Sequence, residues 1–248
     1  METEGYWELE ETVEQYSTRP YLWTGEQLSL SHCFSEPLEG KRVLDLACGG
    51  GRVSYFLQKM GARVTGIDSS NRMISRAMKR LPEIDLGIGD ASYLGFRDAS
   101  FEAVCCMWNS LDCLHPKALR LQCLREIWRV LRPGGVFVFS HHNLAAIIFG
   151  WPGLAGIERR GYRISRILDG SVFRTEQYLS DSSFPGMKIY FAWPSQILKD
   201  LKNVGFLLER VFPNSRPLAA LQRYLRSDLP VKLVEPFPYL VCRKPGAL

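Results

Sequence analysis

The stretch from Val43 to Asp68, VLDLACGGGRVSYFLQKMGARVTGID, constrains the chain more than any other. A short apolar run ends in glycines, a run with helical spacing follows, and a second β-branched run closes the stretch. That order is a strand–helix–strand unit, whose strands lie parallel and are joined by a right-handed crossover. The alternation continues through a helix in SNRMISRAMKRL, strands in IDLGIG and FEAVCCMW, a helix in PKALRLQCLREIWRVL and a strand in GVFVFS. The helix PSQILKDLKNVGF, with Gly205 at its end, and the strands FLLERVF and FPYLVCR complete the pattern.

Two interruptions break this regularity. Residues 141–192 form a connection too long for an ordinary turn, and long insertions commonly act as lids or binding elements. Residues 213–236 hold a short basic helix, PLAALQRYLR. Ahead of the core, Tyr6, Leu9, Val13 and Tyr16 recur at helical spacing among Glu2, Glu4, Glu8, Glu10, Glu11 and Glu14, which predicts one amphipathic helix. STRP breaks it, and a second short helix is expected over 21–31. The expected organisation is a helical lid over 1–40 and a core over 41–248, with substrate-cap insertions at 141–192 and 213–236.

The glycine turn invites a nucleotide, because open α/β sheets bind such ligands at the carboxyl ends of their strands. A dinucleotide fingerprint would need a third glycine where Ser54 stands, and a phosphate loop would need a Lys after the glycines. Asp45, inside the strand before the turn, would repel a pyrophosphate and suits a cationic ligand part. Asp68, ending the second strand, is placed to accept from ribose hydroxyls, and Asp90 from an exocyclic adenine amine. Met73 lies one helical turn beyond Asp68, where it can pack beneath the base. A ribose, an adenine, little phosphate and positive charge together describe S-adenosylmethionine.

At this point the residues resemble a known family. VLDLACGGGRVS, VTGIDSS, GDASYLGFRDASFEAV and EIWRVLRPGGVFVFS are similar, in this order and spacing, to the motifs of class I S-adenosylmethionine-dependent methyltransferases of the type 11/25 group. Gly95 stands where Pro is usual and Glu102 where Asp is usual. The resemblance implies a Rossmann-like three-layer α/β sandwich with a seven-stranded, mostly parallel sheet and an antiparallel last strand. It also implies N-terminal helices and a cap inserted after the fifth strand. The cofactor set it implies is Tyr16, Asp45, Ala47, Gly49, Gly51, Asp68, Ser69, Met73, Asp90, Ala91 and Met107, with S-adenosylhomocysteine as product and no metal.

A narrower resemblance, to glycine-type small-molecule N-methyltransferases, rests on VCCMWNSLDCLHP and FVFSHHNLAAI. It implies substrate contacts from Asn109 and His142, with Tyr21 beside them, and Tyr16 closing over the cofactor. His142 stands where that group has Arg, so the bidentate clamp on a carboxylate is missing.

Methyl transfer is an in-line displacement with a neutral leaving group, so alignment supplies much of the rate, roughly 7–11 kcal/mol in well-oriented systems. His141 and His142, after the fifth strand, are the candidate bases for a protonated acceptor. His115 is expected to orient the following helix and His32 to be structural. Trp108, Trp151 and Trp193 could line an aromatic pocket.

The formal charge of +5 is a mild basic bias. Neither the [DN]-P-P-[FYW] motif of base methylation nor a Pro-Cys nucleophile is present, so a small-molecule acceptor is favoured over RNA or another macromolecule. A non-catalytic cofactor-binding regulator is the rival of a different class, and a NAD-dependent dehydrogenase is disfavoured by Ser54. Seven cysteines without C-x-x-C spacing, and an acidic first segment without an apolar stretch, predict reduced thiols and a cytoplasmic setting. Leu144 to Ile157, followed by Arg159, Arg160, Arg163, Arg166 and Arg174, is expected to lie on the surface or in the core, with membrane contact the lesser alternative. Oligomeric state is left open.

Overall fold

The computed structural model describes residues 3–17, 21–34, 38–146, 176–181 and 184–246. The alternating pattern folds as expected. Helices α1 (Thr3–Trp7), α2 (Glu10–Ser17) and α3 (Thr24–Cys33) precede β1 (Arg42–Leu46), α4 (Arg52–Lys59), β2 (Arg63–Asp68), α5 (Asn71–Arg80), β3 (Asp85–Ile88) and β4 (Phe101–Cys106). A 3-10 turn (Ser110–Cys113), α6 (Lys117–Val130) and β5 (Leu131–Ser140) follow. Beyond them lie β6 (His142–Asn143), β7 (Glu176–Asp181), β8 (Phe184–Ala192), α7 (Pro194–Val204), β9 (Leu207–Phe212), α8 (Arg216–Leu225), α9 (Leu229–Val234) and β10 (Tyr239–Arg243).

The main sheet is seven-stranded in the order β3-β2-β1-β4-β5-β10-β9. Strands β1 to β5 pair in parallel, and β10 runs antiparallel to both β5 and β9. The order reverses between β1 and β4, which sets a crevice above their carboxyl ends.

Strand alternation divides the core between the two faces. Leu44, Val104 and Phe137 join Leu124, Ile127 and Leu201 of α6 and α7 on one side. Val43, Cys105 and Val138 join Leu30, Leu57 and Ile74 of α3, α4 and α5 on the other. A fully buried Leu such as Leu57 contributes about 2–5 kcal/mol against Ala in such layers. The seven cysteines are free thiols.

Three expectations need correction. The N-terminal helix is two helices, because the chain turns at Glu8–Leu9, and Leu9 is exposed while Val13 is buried. Helix α3 starts and ends later than the expected 21–31. The first insertion adds a three-stranded sheet, β6-β8-β7, that the sequence pattern did not announce. Leu144, Ala145 and Ala146 are buried, so the described start of the uncharged segment is core. Its remainder, Trp151 and the arginines from Arg159 to Arg174 lie outside the described residues. Among the described residues no helix is long and apolar enough to cross a membrane.

Candidate active site

A cavity of about 920 Å³ opens above the carboxyl ends of β1 to β4. Ten of the eleven expected cofactor residues line it: Tyr16, Asp45, Ala47, Gly49, Asp68, Ser69, Met73, Asp90, Ala91 and Met107. Nine of them converge because they lie at the end of a parallel strand or in the turn and first helical residues after one, and Tyr16 reaches the cavity from α2.

Asp68 holds the turn together. Its Oδ2 accepts from the Gly49 N–H and its Oδ1 from the Ser70 N–H, both at 2.9 Å. Burial pushes its carboxyl up, and these backbone donors pull it back. Ser70 caps α5 by accepting from the Met73 N–H at 3.1 Å, which fixes Met73 under the turn. Asp90 is exposed on the lining and accepts from the backbone N–H and hydroxyl of Ser92, both at 2.7 Å through Oδ1.

The glycines divide their work differently from expectation. Gly51 does not line the cavity. Its φ of +78° starts α4, and a Cβ there would come within 2.6 Å of Leu81 Cδ1, so its role is backbone conformation and packing. Gly50 does line the cavity, and a Cβ there would meet Ser17 Cα at 2.7 Å. Above Gly49 the space is open: a Cβ would meet only Met73 Sδ, at 3.9 Å.

Asp45 is 1% exposed and accepts from the Ser54 hydroxyl at 2.6 Å. Burial raises its carboxyl to about 7, against the lowering effects of Ser54 and Arg52. Ser54, which spoiled the dinucleotide pattern, is thus the partner of Asp45.

An aromatic chain runs along the lining from Trp7 to Trp108 and on to Trp23 behind it. Trp7 meets Tyr16 at 5.2 Å, Tyr16 meets Trp108 at 5.9 Å, and Trp108 meets Trp23 at 5.1 Å between ring centroids. Beyond Met107 the lining continues through Trp108, Leu111, Leu114, His115 and Leu119 to Lys188 of β8.

The candidate bases are placed elsewhere. Neither His141 nor His142 lines this cavity. His142 belongs to β6, where Asp112 Oδ2 accepts from its backbone N–H at 2.6 Å and pairs with its Nδ1 at 2.9 Å. Its ring rests on Phe191 at 4.7 Å. His141 is 2% exposed, and burial lowers its imidazole to about 4. Both side chains are buried: β6 pairs with β8 at His142, and the His141 N–H donates to the Pro238 carbonyl.

The expected substrate contacts also move. Tyr21 is half exposed and packs on Trp23 at 5.8 Å, away from the lining. Asn109 has φ +56°, and its N–H donates to the Ser140 hydroxyl at 2.8 Å, so it shapes the turn after β4. His115 takes a place on the lining, edge-on to Tyr178 at 4.6 Å. His32 packs against Phe212 at 5.3 Å. Of the tryptophans, Trp108 lines the cavity and Trp193 precedes α7.

Sequence reasoning missed Trp7, Ile88, Leu111 and Lys188 on the lining. Ile88 carried a signal, as the last residue of β3 at the edge where ligands bind. Among the described residues no three His, Cys, Asp or Glu side chains gather as a metal-holding group.

A family model described as a methyltransferase domain matches residues 43–135. The Bacillus subtilis protein YqeM, named as a methyltransferase, is 30% identical over 216 residues, covering 75% of this chain and 82% of YqeM. The 27-O-demethylrifamycin SV methyltransferase of Amycolatopsis mediterranei is 31% identical over 176 residues, 68% of this chain and 58% of that protein. A demethylmenaquinone methyltransferase of Renibacterium salmoninarum is 39% identical over 105 residues, 41% of this chain and 43% of that protein. The chain therefore matches about half the length of these last two relatives. Among solved structures, an S-adenosylmethionine-dependent methyltransferase of Mesorhizobium loti superposes with TM-score 0.64 at 22% identity, covering 89% of this chain and 98% of that one. The CcbJ methyltransferase of Streptomyces caelestis gives 0.64 at 16% identity, covering 99% and 100%. These two likenesses concern the fold.

Proposed function

The chain belongs to the class I S-adenosylmethionine-dependent methyltransferases, and from that membership we propose that it methylates an O or N atom of a small-molecule acceptor. The observation that carries this reading is the single continuous cavity, whose size lies at the upper end of the range for small-molecule sites. One end is built by the glycine turn and its carboxylates, and the other by Trp108, Leu111, Leu114, His115 and Lys188. Room for two ligands end to end is what a transfer reaction needs. The relatives named for quinone and antibiotic methylation support a small acceptor.

The residues at the first end fit the cofactor. The open space above Gly49 admits a ligand against backbone. Each oxygen of Asp68 accepts from a backbone N–H and keeps a further lone pair with which to accept. Asp90 is exposed beside Ile88, Met73 and Ala91, which offer apolar surface to a flat base. S-adenosylmethionine supplies an electrophilic methyl group on a sulfonium centre.

The protein's part is positional. The Trp7–Tyr16–Trp108 chain on the lining excludes water, and the apolar far wall aligns the acceptor. For an acceptor hydroxyl, His115 is the imidazole on the lining that could take the proton. Calorimetry is expected to show S-adenosylhomocysteine binding, and NADH binding in its place would overturn the reading. A screen of candidate acceptors with methyl-labelled cofactor then identifies the product by mass.

A further inference from the structure

The small sheet reaches the cavity through Lys188 of β8. In its register Tyr178 pairs with Tyr190 and Ser180 with Lys188, so alternation puts Tyr190 and Lys188 on one face of β8. Two contacts fix where that face points. The Tyr178 hydroxyl donates to the Leu114 carbonyl at 2.8 Å while its ring meets His115. The Arg120 guanidinium lies 3.8 Å from the centre of the Tyr190 ring. The face is thereby held against the 3-10 turn and the start of α6, and Lys188, two residues before Tyr190, projects onto the cavity lining.

The charges on the lining are otherwise engaged. Asp45 is tied to Ser54, Arg52 to Glu26, Asp68 to two backbone amides and Asp90 to Ser92. Lys188 is exposed, and its ammonium has no hydrogen bond or ion pair among the described residues. It shares the lining with Leu111, Leu114 and Leu119 and with the polar side chains of Ser110, Cys113 and His115. A few placed polar groups in an apolar wall orient a ligand, and a solvated ammonium loses little on meeting an anion.

We propose that the acceptor is an amphipathic anion, with its apolar body on Leu111, Leu114 and Leu119 and its carboxylate or phosphate held by Lys188. This deepens the methyltransferase reading and rests on it. Lys188 is a specificity residue, and it takes no part in the chemical step.

The test uses the full chain saturated with S-adenosylhomocysteine, titrated with 3-phenylpropionate, 3-phenylpropyl phosphate and 3-phenylpropanol. At least one anion is expected to bind about tenfold more tightly than the alcohol, and whichever anion binds more tightly identifies the headgroup. Lys188→Met is expected to abolish the preference, Lys188→Arg to keep it and Lys188→Glu to reverse it. Affinity for S-adenosylhomocysteine, read on every variant, reports that the cavity is intact. Equal binding of alcohol and anions, no binding of either anion, or a preference that survives Lys188→Met would each overturn the proposal. Loss of S-adenosylhomocysteine binding by the unaltered chain would instead overturn the methyltransferase reading beneath it.

Discussion

Glu26 and Arg52 meet fork on fork: Oε2 accepts from Nη1 and Oε1 from Nη2, both at 2.6 Å. Glu26 is fully buried and also accepts from the Trp23 N–H at 2.8 Å, while Arg52 begins the helix after the glycine turn. The pair therefore fastens α3 to the cofactor turn. Arg52 also lies 5.7 Å from the centre of the Trp108 ring, so the pair supports the aromatic cover as well.

Removing one partner of such a pair leaves a buried charge without its counter-ion, at a cost of about 3–5 kcal/mol. Glu26→Gln keeps the shape and an acceptor for Trp23. It is expected to lower the melting temperature by roughly 10 °C, at about 2–4 °C per kcal/mol for a chain of this size. Scanning calorimetry decides it, and a melting temperature within a degree of the parent would show that the pair is dispensable.

A second set of charges orients α2. Arg72 pairs with Glu10 at 3.2 Å, Arg76 with Glu14, and Arg80 donates to the carbonyls of Ser17 and Gly50, the latter at 3.0 Å. The acidic face of α2 is therefore matched to a basic face of α5. Each exposed pair is worth at most about 1 kcal/mol and is screened by salt. Together they set Tyr16 over the cavity. S-adenosylhomocysteine affinity is expected to fall several-fold as ionic strength rises from about 0.01 to about 1 M, which shortens the screening length from about 30 to about 3 Å. Arg76→Glu should reproduce part of that loss, and adding Glu14→Arg should restore it. A salt-independent affinity would refute the role given to these pairs.

The strand edge of the site was legible in the sequence because its signals are local. Hydrophobic runs, a glycine turn and carboxylates at strand ends are short-range features, and ten of the eleven expected cofactor residues reach one cavity. The small sheet that brings Lys188 to the cavity was not legible, since β7 and β8 gain their meaning only by pairing across a distance. Pro185 and Gly186 inside β8 read locally as breakers. His141 and His142 failed for the same reason: β6 pairs with β8 at His142, and His141 is buried beside Pro238, both far away in sequence. Gly51 was misread because its neighbour Leu81, just past the end of α5, is thirty residues away in sequence.

Asp68 is expected to matter through the turn it holds as well as through any ligand. Both of its oxygens accept from backbone N–H groups, and an amide at this position offers one acceptor and turns a donor toward the other N–H. Asp68→Asn should weaken S-adenosylhomocysteine binding by tenfold or more, with a loss of stability of about 1–3 kcal/mol from the unpaired amide. Titration calorimetry and chemical denaturation separate the two effects. Unchanged affinity would remove Asp68 from the cofactor site.

Asp45 gives the protein a pH dependence whose sign follows from burial. Its carboxyl is raised from 3.8 to about 7, so the folded chain holds a proton that the unfolded chain releases. That stabilisation is fully present below about pH 3.8 and is lost as pH rises through about 7. His141, lowered from 6.5 to about 4, acts in the opposite sense, and its stabilisation is lost as pH falls through that window. The difference between the parent and Asp45→Asn isolates the first effect. Relative to the variant, the ligand-free parent should lose stability between pH 5 and pH 8, at up to about 1.4 kcal/mol per pH unit for one proton. Denaturation at a series of pH values measures it. Parallel pH profiles for the two proteins would mean that Asp45 is ionised throughout, and that the Ser54 hydroxyl suffices to hold its charge in the core.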